Sequence, residues 1–446
     1  MCGHEEVVNT LLQQVNINPD KPDTPGGRTP LSWAAERGRE RVVKILLDQE
    51  GANPTTADYQ GQTPLLWAAE RGHEGVVKIL LDQKDVNPTT ADDRGRTPLW
   101  WAAGGEPEGG EPEGVGKILL GQEDVNPTTK YYTTEYYTCY QSLTPAWRLT
   151  GRGREGVVKI FLDQKNVNPT TADDRGRTPL SRAAETGHEK VVKMLLDRED
   201  VNSETVDNLG QTPLSLALSG GHDEGVVKIL LDQKDVNPST PDCHGRTPLL
   251  WASGRGCEGV VKILLDRKDV NPTTADDQGW TPLLWACEHR YEGVVKILLD
   301  QKDVNPNTPD CHGRTPLPWA CKHGYEGVVK MLLGHKDVNP TTADDQGCTP
   351  LLWACKHGHE GVVKILLGQK DVNPTTADDQ GCTPLSWAAG CGHEEVVKIL
   401  LDKKDVNPTT ADDRGRTPLL WASKHGHEGV VKILLDRKDV NPTTAD

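Results

Sequence analysis

The chain is predicted to be an all-α repeat solenoid, a stack of helix-turn-helix units, and three observations predict it. The dipeptide Thr-Pro recurs at Thr29, Thr63, Thr97, Thr144, Thr178, Thr212, Thr247, Thr281, Thr315, Thr349, Thr383 and Thr417, and nine of the eleven intervals are 34 residues. The words around it are nearly constant, and the last complete copy reads DDRGRTPLLWASKHGHEGVVKILLDRKDVNPTTA from Asp412 to Ala445. Within each copy, apolar residues fall at helical spacing in two short runs separated by a Gly-containing turn. A fixed period near 34 marks supersecondary units that bury their apolar faces on one another. Such a stack presents a long surface and no closed pocket, so binding is the expected class of function.

Each element of the unit follows from its residues. Asp-Asp-Arg-Gly reads as a tight turn, with Gly supplying a positive φ. Thr-Pro then opens helix one, because Thr caps the free N–H groups and Pro at the first helical position sacrifices none. After Thr417, residues Leu419, Ala422 and Ser423 share one side of the helix, and two of them are small enough for close helix contact. Gly426-His427-Glu428 forms the turn. Helix two, Val430-Val431-Lys432-Ile433-Leu434-Leu435, places apolar residues at i, i+3 and i+4 with Lys432 outward. Asp439-Val440-Asn441-Pro442 ends it, since Pro cannot continue a helix.

Composition narrows the partners. A net charge of −16 with no basic run argues against nucleic acid and anionic membranes. Helix-sized apolar runs stop at six residues, as in Val76 to Leu81 with Lys78 inside, too short to span a bilayer. The start, MCGHEEVVNTLLQQ, lacks the basic-then-apolar pattern of a secretion signal. Cys287, Cys321 and Cys355 share one repeat position, where other copies carry Ala or Ser. Stacked helices lie about 8–10 Å apart, whereas a disulfide needs Cα atoms within about 7 Å. These cysteines are therefore expected to be small buried thiols, which points to a reducing, cytoplasmic or nuclear setting.

The words DxxGxTPLxxAA, GHEGVVKILL and DVN, repeated across essentially the whole chain, resemble the ankyrin repeat family. That resemblance implies paired antiparallel helices with projecting β-hairpin fingers, and a non-enzymatic scaffold for protein–protein interaction. The closely matched KDVNPTTAD-type copies are similar to those of fungal-type ankyrin proteins, including receptors with a nucleotide-triphosphatase. The alternative function is thus the target-sensing portion of a larger signalling protein of that NTPase-receptor type. Three departures stand out. The family's His after Thr-Pro-Leu is replaced by Leu, Ser, Trp or Pro; its Gly at the end of helix two gives way to Lys-Asp, as at Lys84-Asp85; and the segment from Asn87 to Thr97 is longer.

One array over residues 1–446 is expected: a partial repeat at 1–24, twelve Thr-Pro repeats over about 25–446, and an insert-bearing repeat at 97–143. The insert holds a doubled GGEPE after Ala103 and a Tyr-rich run from Lys130 to Tyr140. Four glycines there make it the expected weak joint, with first proteolysis between Gly104 and Tyr140. Because the chain begins within a repeat and stops in a finger without a polar cap, it reads as part of a longer protein.

Candidate contact residues come from two repeat positions. Trp stands two residues after the core Leu in nine copies, including Trp251, Trp285, Trp319, Trp353, Trp387 and Trp421. At 200° from that Leu on the helix, it points away from the inter-helix core, toward the groove beneath the fingers. Indoles about 8–10 Å apart exceed the 4.5–7 Å or so of ring stacking, so slots are expected between them. The middle copies carry Arg148, Arg182 and Leu216 instead. At the end of helix one, Glu36-Arg37 and Glu70-Arg71 give way later to Lys322-His323, Lys356-His357 and Lys424-His425. These Trp, Lys and His residues are the expected partner-binding set.

Other chemistry finds little support. Seven histidines, such as His73 and His427, belong to the Gly-His turn word and recur by structure. Cys348, Cys355, His357 and His359 lack zinc-ligand spacing. Asp242-Cys243-His244 sits on a finger tip, without pocket or oxyanion donors. No catalytic residue, metal site or cofactor is expected. The expected partner is a protein, and oligomeric state is left open.

Overall fold

A computed structural model of the protein describes residues 18–104, 154–221, 224–437 and 440. The chain forms two compact units, Met1–Val236 and Asn237–Asp446. All described helices are short, seven to nine residues. Helices of that length are marginal alone in water, so packing holds them. In a typical copy, Pro64–Arg71 and Glu74–Leu81 form the pair. Leu65, Ala68, Ala69, Val76, Val77 and Leu80 are all buried between helices. The same positions repeat throughout both units.

Helix one starts as its sequence dictates. Thr63 Oγ1 accepts from Leu66 N–H at 3.4 Å, and Thr349 Oγ1 from Leu352 N–H at 3.3 Å. Thr315 makes no such bond. Its partner position is Pro318, which has no N–H to donate.

The Gly-His turn couples neighbours. His73 Nε2 donates to the Glu36 carbonyl at 2.9 Å, and His359, His393 and His427 do the same to Lys322, Lys356 and Gly390. The imidazole lies against the Gly of the preceding turn, as His73 does on Gly38, where a Cβ would collide with the ring. That Gly also sits at φ 66°, a conformation open to few other residues. A second approach explains the Gly in EGVV. The carboxylate of Glu40 occupies the space where a Cβ on Gly75 would stand, and Glu258, Glu326 and Glu394 repeat the contact at Gly293, Gly361 and Gly429. Each places negative charge at a helix N-terminus, where the backbone dipole favours it.

Between repeats, Asp58 Oδ1 accepts from Gln60 N–H and Gln62 N–H at 3.0 and 2.9 Å and closes the turn. Neighbouring turns share a backbone bond, such as Asp93 N to Gln60 O at 3.2 Å and Asp345 N to His312 O at 3.1 Å. The described residues contain no strand. These segments are turns tied by backbone bonds to a neighbouring turn.

Across the insert the helix pairing joins two copies. Pro98–Gly104, the first helix of the Thr97 copy, packs on Arg154–Leu162, a second helix from the Thr144 copy. The composite pair fits between regular neighbours: Pro98–Gly104 touches Pro64–Arg71 and Pro179–Glu185, while Arg154–Leu162 touches Glu74–Leu81 and Glu189–Leu196. Asp174 N donates to Arg94 O at 2.9 Å, and Trp100 Nε1 to Arg177 O at 3.1 Å. Two Thr-Pro copies thus contribute one helix pair among the described residues. The reason is adhesive: each half presents the same apolar face as its counterpart, so one from each copy completes a unit. The doubled GGEPE, the Tyr-rich run and the expected cleavage region lie outside the described residues.

Cys287, Cys321 and Cys355 are buried at the end of helix one, and no described cysteine is bridged. Burial raises their thiol pKa above the ordinary range.

Candidate functional site

The Trp row is positioned by a bond that periodicity does not expose. Trp353 Nε1 donates to Asp344 Oδ2 at 3.0 Å, while Asp344 Oδ1 accepts from Gln346 and Cys348 N–H. One carboxylate thus closes the turn and aims the indole of the following helix. The arrangement recurs at Trp33–Asp23, Trp67–Asp58, Trp285–Asp276, Trp319–Asp310, Trp387–Asp378 and Trp421–Asp412. The sequence signal is spacing alone: Asp stands nine residues before Trp in most copies, and ten before Trp33. Trp251 departs from it: its Nε1 has no acceptor among the described residues.

The indoles face the turns, and their exposure varies. Trp251, Trp285, Trp353, Trp387 and Trp421 are half-buried, whereas Trp319 is only 6% exposed. Trp101, in the composite pair, is 2% exposed. Trp319 therefore lends little surface to a partner.

The expected open slots are mostly filled by the chain itself. Arg28 lies 3.8 and 3.7 Å from the Trp33 and Trp67 rings. Trp280 bridges Trp285 and Trp319 at 5.3 and 4.8 Å. Lys322 Nζ is 4.6 Å from Trp319 and 5.7 Å from Trp353, and Lys356 Nζ is 5.2 Å from Trp353 and 4.0 Å from Trp387. Between Trp387 and Trp421, 6.3 Å apart, no described side chain lies across both rings. Helix spacing alone misjudged the slots because it ignores the long cationic side chains that lie across indole faces.

The helix-one ends complete the face. His323, His357 and His425 stack on Trp319, Trp353 and Trp421 at 5.9, 5.8 and 5.6 Å. Each column continues to Tyr325, His359 or His427. Lys322 and Lys356 are half-buried and Lys424 is exposed. Burial, Arg314 and Lys356 lower the Lys322 pKa, with Glu288 opposing. Burial and the cations Lys322 and Lys356, with His359 and His323, bring His357 down to about 4. Cys355 points into the helix pair and His359 is held by the Lys322 carbonyl, so the Cys/His cluster of the sequence is divided among separate contacts.

Comparison with known families follows this geometry. A model described as ankyrin repeats (3 copies) matches residues 110–205, 200–276, 268–344, 304–378, 328–412 and 351–446, and one described as ankyrin repeats (many copies) matches 31–81. The chain belongs to the ankyrin repeat family. No curated protein matches it. Ankyrin repeats are in general non-enzymatic protein–protein interaction modules, and the all-α helical stack here is the ankyrin architecture. No described helix is long and apolar enough to cross a membrane, and the described residues hold no group of three His, Cys, Asp or Glu placed for a metal.

Proposed function

We propose that this ankyrin chain is a non-enzymatic scaffold that captures a protein partner, and that the unit Asn237–Asp446 carries the contact face. The face comprises Trp251, Trp285, Trp353, Trp387 and Trp421 with Lys322, His323, Lys356, His357, Lys424 and His425, and with Trp319 as a buried support. One observation carries the reading. The Lys322 and Lys356 ammonium groups lie across indoles with no carboxylate at ion-pair distance among the described residues. Held cations and half-buried indoles form a surface ordered before binding, which lowers the entropic cost of association. Trp is also among the residues in which interface energy concentrates.

The test is photo-crosslinking from position 357, with Lys364 on the outward side of helix two as the control position. A partner protein should crosslink from 357 and not from 364. Trp353→Ala should weaken its capture about ten-fold or more while the circular dichroism spectrum stays unchanged. Equal crosslinking from both positions would sink the proposed face.

A further inference from the structure

Two sequence positions fill the space between consecutive indoles in the unit Asn237–Asp446. One lies five residues before each Trp, the other three residues after it. Arg246 stands 4.3 Å from Trp251, Trp280 bridges Trp285 and Trp319, Arg314 and Lys322 lie at 4.2 and 4.6 Å from Trp319, and Lys356 spans Trp353 and Trp387. At the Trp387 repeat both positions are small: Cys382 before and Gly390 after. A cavity of about 150 Å³ results, lined by Cys382, Ser386, Trp387, Gly390, Trp421 and His425, with exposed Cys391 at its edge. That is roughly the volume that admits a benzene-sized group.

The surroundings favour positive charge. Cys382 stands where Arg246, Arg314 and Arg416 pair with their turn aspartates, so Asp378 has no ion pair among the described residues. The neighbouring Asp412 carboxylate accepts from the Cys382 thiol at 3.7 Å. Burial first, then Asp378 and Asp412, push that thiol up to about 12, with Arg416, paired to Asp412 at 2.8 Å, opposing. Lys356 lies between Trp353 and Trp387 and acts on Cys391 at the cavity edge. The whole chain carries −16.

We propose that the space between Trp387 and Trp421 is a docking socket for a lysine or arginine side chain of a basic partner peptide. The partner would supply the cation that Arg or Lys supplies in most neighbouring slots, where indole faces attract it through their quadrupoles. This rests on the scaffold reading above and names the chemistry of its partner. Arg28, flanked by indoles at 3.8 and 3.7 Å, shows that a guanidinium fits once the rings stand slightly further apart than 6.3 Å.

The probe is a fluorescein-labelled peptide of four Gly-Ser-Lys triplets, compared with its norleucine counterpart by anisotropy on the full chain. The lysine peptide should bind at least about ten-fold more tightly than the norleucine one. Cys382→Arg fills the socket from the position where Arg246, Arg314 and Arg416 lie on their indoles, and should weaken binding about ten-fold. Gly334→Lys adds the same charge where a side chain meets open space, and should change binding less than about two-fold. Failure of the lysine peptide to bind overturns the proposal. Equal binding of norleucine would make the socket apolar, and equal weakening by Gly334→Lys would reduce the effect to general charge attraction. Either result rejects it. Crosslinking from position 357 that persists alongside such a result would confine the failure to the socket and spare the scaffold reading.

Discussion

The two units use one repeat position in opposite ways. In Met1–Val236 two acidic helix-one ends are paired internally: Glu36 accepts from Arg28 at 2.9 Å and Arg71 at 3.1 Å, and Glu185 from Arg177 and Arg182 at 2.8 Å each. In Asn237–Asp446 the same position is Lys322, Lys356 and Lys424 in three of six copies, laid against indoles and flanked by stacked histidines, and Gly254, Glu288 and Gly390 in the others. The backbone and the Asp–Trp bond are shared. What differs is whether charge is consumed within the stack or presented at its surface. A scaffold that repeats its fold can therefore confine recognition to some copies by changing one side chain per repeat.

The largest expected effect tests the shared part. Asp58→Ala and Asp344→Ala each strand two turn N–H groups and an indole N–H, at about 1–3 kcal/mol per unsatisfied buried donor. Both should lower the urea midpoint strongly and by similar amounts. A large effect in one unit alone would show that the Asp–Trp bond is not common scaffolding.

The next test concerns the difference itself. Glu36→Gln removes two half-buried ion pairs and should cost about 1–2 kcal/mol. Lys322→Gln breaks none and should stay within about 0.5 kcal/mol, while weakening capture of a partner. Equal costs in urea denaturation would erase the contrast.

A smaller effect appears with pH. His357, at about 4, lies below the ordinary imidazole value near 6.5, so the unfolded chain takes up its proton first. Stability should be full above about pH 6.5 and decline as pH falls toward about 4. Asp412 acts lower. Burial alone would raise it, but hydrogen bonds from the Arg416 backbone and side chain, the Arg414 N–H and Trp421 hold it down to about 2. Its contribution is present above about pH 3.9 and is lost as pH falls through about 2. NMR titration of His357 with a midpoint near 6.5 would remove the cationic crowding from the comparison.

The smallest expected change tests the composite pair. Replacing residues 105–153 by Arg-Gly, as at Arg71-Gly72, should keep Pro98–Gly104 and Arg154–Leu162 paired and cause no loss of stability in urea denaturation, because a shorter connection lowers the entropy cost of closing the pair. A large loss would mean that Pro98–Gly104 and Arg154–Leu162 do not form a self-sufficient unit.

The sequence by itself determined the helical stack, because Thr-Pro, Gly-His and two apolar runs each specify local geometry and recur at a fixed interval. It also determined the unbridged thiols at Cys287, Cys321 and Cys355, since their shared repeat position places them at helix spacing. The tertiary structure decided what periodicity cannot encode. Which helix completes Pro98–Gly104 depends on matching apolar faces far apart in the chain, and every copy offers nearly the same face. Whether a slot between indoles is open depends on how Arg28, Trp280, Lys322 and Lys356 lie across the rings, and at Gly390 on the absence of any such side chain. Local preferences act over a few residues and are legible in sequence. Side-chain placement between repeats is settled by packing and charge across some 34 to 37 positions, and only the folded stack brings those groups together.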